Sequence, residues 1–297
     1  RYLTHHNKFK MNKKPLINLN DKIYVAGHKG MVGSAILRLL KKNKFENILT
    51  TSKEELNLLN VQDVDQWFCK NKPDIVILAA AKVGGILAND NYPVNFLLEN
   101  LKIQNNVIES AWKSGTRRLL FLGSSCIYPK LAKQPIKEEY LNCGELEKTN
   151  HWYATAKISG IKLCEAYKKQ YNFDSICLMP TNLYGPGDNY HSKNSHVIPS
   201  LIKRFHDAKS TNKSEVICWG SGNPRREFLH VEDLAEASIF TLRYWNPKLE
   251  KGTLSKNVSS QLHINVGTGK DLTIRELAEE IASIIGYAGE IKWDSTK

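Results

Sequence analysis

The chain has 297 residues, of which 41% are hydrophobic and 24% are charged, as in ordinary globular proteins. This composition excludes wholesale disorder and collagen, and no run approaches the roughly 18 apolar residues of a membrane span. The 42 basic and 30 acidic residues give a net charge of +12, which favours an anionic ligand such as a nucleic acid, a lipid surface or a phosphorylated small molecule. Because the positive charge is spread along the chain, we expect a phosphorylated small molecule and no nucleic-acid or membrane partner.

The six cysteines include no Cys-x-x-Cys pair. Their spacing fits neither a zinc site nor a disulfide framework, so we expect no metal and a reducing compartment, the cytoplasm. The first ten residues are polar, precede Met11 and lack the apolar stretch of a secretory signal. We assign residues 1–20 to an N-terminal extension and exclude residues 1–10 from the fold.

Strand and helix patterns alternate from residue 21 onward. A short buried strand at 23–26 precedes a glycine-rich turn and a helix whose apolar residues recur at helical spacing. Strands that are apolar on both faces and alternate with helices indicate a doubly wound α/β fold, a parallel sheet covered on both sides. We assign residues 21–182 to a Rossmann domain of this kind. Its further predicted elements are strands at 47–50, 75–81, 119–123 and 176–179 and helices at 94–114 and 151–171.

The residue composition changes after residue 182. Residues 183–196 are rich in Gly, Pro, Asn and His and predict a functional loop. We assign residues 183–297 to a smaller α/β region, mainly substrate-binding and interleaved with the Rossmann domain, with residues 246–262 as a polar surface excursion. Because the chain stops on a strand, we expect the native protein to continue past Lys297. The predicted elements here are strands at 215–219, 264–266 and 290–293 and helices at 232–245 and from a capping box at 273–276 to Gly286.

The glycine-rich turn lies between the first strand and the first helix. Gly27 permits a tight turn, Gly30 lets the backbone approach a pyrophosphate, and Gly33 lets the helix pack on the strand. This context distinguishes a dinucleotide-binding turn from a plain turn with incidental glycines, which is the alternative. We predict that the whole turn contacts a cofactor: Gly27, His28, Lys29, Gly30, Met31, Val32 and Gly33.

The end of the second strand bears on the choice of cofactor. NAD-binding proteins place Asp or Glu there to bond the ribose 2′-hydroxyl. This chain has Thr51, Ser52 and Lys53 and no acid before Glu54, while Lys29 lies in the glycine turn. Two cations and two hydroxyls suit a 2′-phosphate, so we predict NADP(H) with Lys53 as a contact. The alternative is that Lys53 is a solvated surface lysine.

Tyr153 and Lys157 are four residues apart on a predicted helix and therefore share a face. We expect the Lys157 ammonium to lower the pKa of Tyr153, so that the phenol exchanges protons near neutral pH. Alone, this spacing fits two exposed helix residues. Ser124, however, directly follows the fourth strand, at the sheet edge where such folds bind ligands.

A serine after the fourth strand, with tyrosine and lysine on the next helix behind a glycine turn, resembles the extended short-chain dehydrogenases/reductases that modify nucleotide sugars. A narrower resemblance is to the GDP-L-fucose synthase family, and its motifs run in order along nearly the whole chain. They are residues 27–34 (GHKGMVGS), 79–85 (AAAKVGG), 123–129 (GSSCIYP), 180–186 (PTNLYGP), 194–199 (NSHVIP) and 226–230 (REFLH).

The resemblance implies NADPH-dependent conversion of GDP-4-keto-6-deoxy-D-mannose to GDP-L-fucose, by C3 and C5 epimerisation and C4 reduction in one site. It implies that Ser124 bonds the C4 oxygen, that Tyr153 donates its proton, and that Lys157 tunes Tyr153 and holds the nicotinamide ribose. It also makes Cys126 the epimerisation base and His196 the acid. Without the family, Cys126 would be interpreted as a small buried residue and His196 as a loop histidine. Extended backbone would direct Cys126 and Ser124 the same way, and nearby cations would bring the thiol pKa toward 7.

The resemblance assigns nucleotide-sugar contacts to Arg204, Trp219 and Arg226, since arginine suits bidentate phosphate binding. Surface salt bridges are the alternative for the two arginines. It also implies a homodimer formed through helices 94–114 and 151–171. The remaining cofactor contacts implied by the family are Asn57, Leu58, Leu122, Gly123, Ser124, Ser125, Lys157, Pro180, Thr181, Asn182, Leu183 and His196.

Two other functions fit the same fold. Another nucleotide-sugar 4-epimerase or a 4,6-dehydratase would retain the Ser-Tyr-Lys set, but a dehydratase needs a carboxylate pair near Ser125 and Cys126, where this chain has no acid. A non-enzymatic NADP-binding regulator would often lack the tyrosine or the lysine, and both are present. NADPH oxidation with a keto sugar nucleotide separates these alternatives.

Overall fold

The computed structural model describes residues 14–191, 195–247 and 262–296. Most of the predicted N-terminal extension and of the 246–262 excursion lies outside the described residues, as do Asn194 and Lys297. The strands are β1 (Ile23–Ala26), β2 (Ile48–Leu49), β3 (Ile75–Leu78), β4 (Arg118–Leu122), β5 (Asp174–Pro180), β6 (Asn182–Tyr184), β7 (Glu215–Trp219), β8 (Arg225–His230), β9 (His263–Val266), β10 (Asp271–Thr273) and β11 (Glu290–Asp294). The α-helices are α1 (Met31–Lys42), α2 (Val61–Asn71), α3 (Ile86–Asn91), α4 (Asn100–Lys113), α5 (His151–Tyr171), α6 (Val197–Ser210), α7 (Val231–Tyr244) and α8 (Ile274–Ile285).

Six parallel strands form the central sheet, in the order β2-β1-β3-β4-β5-β9. Every residue of β1, β3 and β4 is buried, because helices α1 and α7 cover one face of the sheet and α2, α4 and α5 cover the other. The doubly wound α/β fold is thus confirmed. The strand order reverses between β1 and β3, and such folds bind ligands at the crevice that this reversal creates.

The smaller region contains a three-stranded sheet, β10-β8-β6, and a parallel pair, β11-β7. Helices α6 and α8 pack on these strands in a third apolar core. One strand of residues 183–297, β9, belongs instead to the central sheet. The strands of the smaller region therefore lie against the edge of the central sheet where β5 and β9 end.

The predicted helix 94–114 is interrupted. A π-helical turn at Asn95–Glu99 precedes α4, and it aims the Asn100 side chain at the chain that follows β3. The buried Asn100 amide accepts the Lys82 N–H at 2.9 Å and donates to the Lys82 carbonyl at 3.0 Å. The predicted strand 75–81 ends at Leu78 because the chain turns away there to pack on Gly27.

Candidate active site

The glycine turn leaves the first turn of α1 open to an anion. A Cβ on Gly33 would lie 2.1 Å from the Gly27 carbonyl oxygen, so only glycine lets the helix approach the strand this closely. Gly30 caps α1 without a side-chain hydrogen bond, and the first helical turn carries no acid. Its free N–H groups suit a pyrophosphate, and the turn therefore fits a dinucleotide. Lys29 and Gly30 are exposed, and Met31 and Val32 pack against the core under the turn.

The chain after β2 brings the two predicted cations to one place. Lys29 and Lys53 both lie within electrostatic range of Glu54. The Thr51 hydroxyl shares a 2.8 Å hydrogen bond with Tyr24, and Ser52 exchanges hydrogen bonds with Glu55. The Thr51 hydroxyl is therefore held by the Tyr24 side chain, and the Ser52 hydroxyl by the Glu55 backbone N–H.

Ser124 follows β4, as predicted, two residues after the strand ends at Leu122, but the residues after it are not extended. A 3-10 turn at Ser125–Ile127 follows, so the expectation that extended backbone aligns Cys126 with Ser124 is wrong. The turn achieves proximity differently, because the Cys126 N–H donates to the Ser124 hydroxyl at 3.4 Å. The alternation of side chains along an extended strand could not predict this turn.

Lys157 is buried beside the end of β4. Its Nζ donates to the Leu122 carbonyl at 2.8 Å and lies 4.8 Å from the centre of the Phe121 ring. The same Nζ is 5.7 Å from the centre of the Tyr153 ring, so the predicted helix face is formed. Burial lowers the pKa of Lys157 to about 8, while the neighbouring thiol of Cys126 opposes this shift.

Burial also dominates the pKa values of Tyr153 and Cys126. Burial raises the pKa of Tyr153 well above its ordinary value, so the expectation that Lys157 would lower it is wrong. Burial also raises the pKa of the Cys126 thiol to about 11, although the Ser124 hydrogen bond and Lys157 oppose the shift, so the expectation of a thiol pKa near 7 is wrong. The free energy that a charged group loses when it is removed from water exceeds the attraction it gains from one partly desolvated ammonium. Tyr153 is therefore protonated at neutral pH, the state of a proton donor.

His196 lies at the N-terminus of α6, as its N-cap residue. It is exposed and makes no side-chain capping bond. The Asp188 carboxylate lies within electrostatic range of it. The structure thus brings Ser124, Cys126 and Tyr153 together with Lys157, and the pairing of His196 with Cys126 stays a prediction.

The predicted substrate residues line the smaller region. The Arg204 guanidinium lies 5.2 Å from the centre of the Trp219 ring and donates to the Ile217 carbonyl at 2.6 Å. Arg226 is exposed on β8 and bonds only the neighbouring Arg225 carbonyl in the part of the chain that the structure describes. Across that same part, neither Arg204 nor Arg226 takes part in a salt bridge. Both positive charges are available to an anion.

The remaining predicted cofactor residues sit at neighbouring strand ends. Gly123 follows β4, where the Met179 sulfur would lie 2.4 Å from a Cβ, so that a side chain here would displace Met179. The Thr181 hydroxyl is buried with no hydrogen-bond partner among the described residues, as expected of a group that awaits a ligand. Its neighbours Pro180, Asn182 and Leu183 belong to β5 and β6. Asn57 and Leu58 precede α2, where Asn106 donates to the Leu58 carbonyl at 2.9 Å.

Several residues that shape this site escaped the sequence analysis. Gln104 on α4 donates to the Ala156 carbonyl at 2.7 Å and so holds the helix turn that carries Lys157. A Cβ on Gly160 would lie 2.5 Å from the Phe121 ring. In the sequence, Gln104 and Gly160 are marked only by their place on the buried face of a helix. Ordinary core residues occupy the same kind of position, so the sequence does not distinguish the two. Within residues 14–191, 195–247 and 262–296, no cluster of metal-ligating side chains occurs and no helix is long and apolar enough to cross a bilayer.

Comparison with known proteins decides the family. A model of the NAD dependent epimerase/dehydratase family matches residues 23–255. GDP-L-fucose synthase 1 of Arabidopsis thaliana is 53% identical over 93% of this chain and 81% of its own length. The Escherichia coli GDP-L-fucose synthase is 52% identical over 93% of this chain and 85% of its own length. The chain belongs to the GDP-L-fucose synthase family.

Solved structures agree with this membership in the GDP-L-fucose synthase family. A GDP-mannoheptose C4 reductase from Campylobacter jejuni with NADP bound has a TM-score of 0.83 and 38% identity, over 94% of this chain and 88% of its own. Its name combines a GDP-linked sugar with NADP, the cofactor predicted for this chain. The residues matched by the family model include the glycine turn, Ser124, Tyr153 and Lys157.

Proposed function

We infer that this enzyme converts GDP-4-keto-6-deoxy-D-mannose to GDP-L-fucose with NADPH, by epimerisation at C3 and C5 followed by reduction at C4. One observation carries the inference. Ser124, Cys126, Tyr153 and Lys157 converge at the end of β4 in a chain that is 52% identical to GDP-L-fucose synthases. Proton donors for a carbonyl oxygen and a thiol for carbon-acid chemistry are both present there.

NADPH supplies a hydride to C4 when bound. We assign its pyrophosphate to the glycine turn and its 2′-phosphate to Lys29 and Lys53. The ends of β4, β5 and β6 offer Gly123, Thr181 and Asn182 to the nicotinamide side, and Asn57 and Leu58 lie on the adenine side.

Three residues perform the reduction on the protein's side. Ser124 donates a hydrogen bond to the C4 oxygen, and Tyr153 transfers its proton to that oxygen as negative charge develops there. The raised pKa of Tyr153 keeps this proton available at neutral pH. The Lys157 ammonium, whose Nζ is 5.7 Å from the ring centre, stabilises the phenolate that remains.

Epimerisation uses the acidity that the C4 ketone confers on the hydrogens at C3 and C5. Cys126 removes the proton from one face, and His196 returns a proton to the other. The Ser124 hydroxyl and the Lys157 charge both favour the Cys126 thiolate against the burial that opposes it. Ser124 and Tyr153 stabilise the enolate oxygen.

The nucleotide end of the substrate is assigned to Arg204, Arg226 and Trp219. We assign the diphosphate to the two arginines, because neither guanidinium is paired with a carboxylate among the described residues. Trp219 is 46% exposed and offers an aromatic face.

Deuterium incorporation tests both half-reactions at once. The chain, NADPH and GDP-4-keto-6-deoxy-D-mannose are mixed in deuterated buffer without oxygen, and NADPH absorbance and product NMR are followed. We expect NADPH consumption and GDP-fucose that carries deuterium at C3 and C5. NADPH consumption without deuterium would make the protein a C4 reductase only, and no reaction with bound NADPH would remove the substrate assignment.

Lys53→Glu tests the 2′-phosphate site. We expect the Kd for NADPH to rise about tenfold while the Kd for NADH changes little, since reversing a charge near a phosphate costs roughly 1 to 1.5 kcal/mol at a partly screened surface. Fluorescence titration of both cofactors measures this. Lys41→Glu, at the far end of α1, is the control with the same net charge, and equal losses in both variants would contradict the assignment.

The pKa of Lys157 predicts the pH dependence of reduction. Its ammonium is present below about pH 8 and is lost above it, so the rate should fall as pH rises through that value. Stopped-flow NADPH oxidation at saturating substrate measures the profile. Lys157→Arg keeps its charge throughout, and we expect a slower enzyme without this decline. The same decline in the arginine variant would assign it to another group.

We further propose a Rossmann unit over 21–182, a mainly substrate-binding unit over 183–297, and a homodimer. Exposed apolar side chains around α3 and the π-helical turn support the dimer: Val83, Ile86, Leu87, Val94 and Leu98. Light scattering measures its mass. All six cysteines are free thiols, which supports the reducing cytoplasm.

A further inference from the structure

Glu227 lies on β8, next to Arg226, and no role has been assigned to it so far. Side chains alternate between the two faces of a strand. Phe228 packs in the third core with α6 and α8, and Arg226 lies two residues before it on the same face. Glu227 must therefore face the other way, toward the central sheet.

The Glu227 carboxylate fills a notch in the turn that follows β9. Its Oε1 accepts the Gly269 N–H at 2.7 Å and the Thr268 hydroxyl at 3.2 Å. The same oxygen lies 2.2 Å from the place where a Cβ on Gly267 would be. Residue 267 must be glycine for the carboxylate to enter.

The backbone of Glu227 is tied to the same edge. The Asn182 amide donates to the Glu227 carbonyl at 3.0 Å, and the preceding Thr181 N–H donates to the Val266 carbonyl at 3.1 Å. Side chain and backbone together join β8 to the ends of β5 and β9. Those ends carry the residues assigned above to the nicotinamide side.

We propose that Glu227 is a positioning residue of the nucleotide-sugar site: its carboxylate fixes β8, and with it Arg226, against the edge of the central sheet. A carboxylate is suited to this task because hydrogen bonds to an ionised acceptor are shorter and stronger than neutral ones. The proposal rests on the proposed function only for the class of ligand, a guanosine diphosphate group held by Arg226.

Glu227→Gln keeps the size of the side chain and removes its charge. We expect the Kd for GDP and the KM for the nucleotide sugar to rise about tenfold, while kcat and the Kd for NADPH stay within about threefold. Calorimetry with GDP and fluorescence titration with NADPH measure the two affinities. A residue that only stabilised the fold would weaken both ligands together.

Asp271→Asn is the matched control. Asp271 pairs with Arg225 of the same strand at 2.9 Å but stays within the three-stranded sheet, so GDP affinity should be unchanged. Gly267→Ala retains Glu227 but occupies its notch, and it should weaken GDP binding as Glu227→Gln does. If Glu227→Gln does not fold, Thr268→Val removes one of the two donors to the carboxylate, together with the hydroxyl's local bonds to the Lys270 backbone, and should raise the Kd for GDP about two- to threefold.

Unchanged GDP affinity in Glu227→Gln, or in Thr268→Val where that variant replaces it, would overturn the proposal. So would an equal loss of GDP and NADPH affinity. A wild-type chain that binds GDP but leaves GDP-4-keto-6-deoxy-D-mannose unchanged would refute the proposed function, and the binding comparison would still decide the role of Glu227.

Discussion

Tyr153→Phe should lower the rate of NADPH oxidation by about 10²- to 10⁴-fold, the range that a positioned proton donor contributes. Only the hydroxyl is lost, because phenylalanine keeps the edge-to-face contact with Phe96, whose ring centre lies 6.5 Å away. Deuterium exchange at C3 and C5 should fall far less, since Ser124 still bonds the C4 oxygen. The measurement is stopped-flow absorbance alongside NMR exchange in one sample.

The control for this variant is Tyr171→Phe, at the last residue of the same helix and exposed. It should match the wild type in both rates. NADPH affinity should also be unchanged in Tyr153→Phe. Undiminished NADPH oxidation would show that Tyr153 is not the proton donor, and another acid would then have to be sought near Ser124.

Cys126→Ser and His196→Gln should each reduce deuterium exchange at C3 and C5 by about 10²- to 10⁴-fold. Serine is a far weaker carbon-acid base than a thiolate, and glutamine does not titrate. Both variants should keep most of their NADPH affinity, because the glycine turn and Lys53, to which the phosphates are assigned, are untouched. Proton NMR of the substrate in deuterated buffer, without NADPH, isolates this half-reaction.

Exposed residues of the same kinds provide the controls. Cys69→Ser on α2 and His206→Gln on α6 remove a thiol and an imidazole away from the site, and both should leave exchange intact. Full exchange in Cys126→Ser and His196→Gln would refute the pairing. Loss in only one of them would retain that residue as the single acid–base group.

Local sequence signals predicted much of this molecule correctly. The helix over 151–171 has the predicted bounds, and Thr273 and Glu276 form both hydrogen bonds of the predicted capping box. The tight approach of Gly33 to Gly27 follows from glycine spacing between a strand and a helix. These features depend on residues within a few positions of one another, and a single sequence displays such relations directly.

Strand β8 was not predicted, although it carries Arg226. Its partners β6 and β10 lie 44 to 48 residues away on either side, in register with Phe228 and Leu229 and with Arg225 and Arg226. Its sequence alternates only weakly between polar and apolar residues, so no local pattern marks it as a strand. Pairing with distant segments creates the strand, and the Glu227 contact with the 267–269 turn depends on that pairing.

The doubly wound fold, the dinucleotide turn, the Tyr153–Lys157 pair and the family follow from sequence motifs alone. The protonation states follow from tertiary packing, because the pKa of a group depends on how much water its neighbours exclude. Burial raises the pKa of Tyr153 and Cys126 and lowers that of Lys157, in the first two cases against the direction that the sequence analysis expected from nearby cations. Desolvation depends on how distant segments pack around a group, whereas a motif depends only on residues that are close in the sequence.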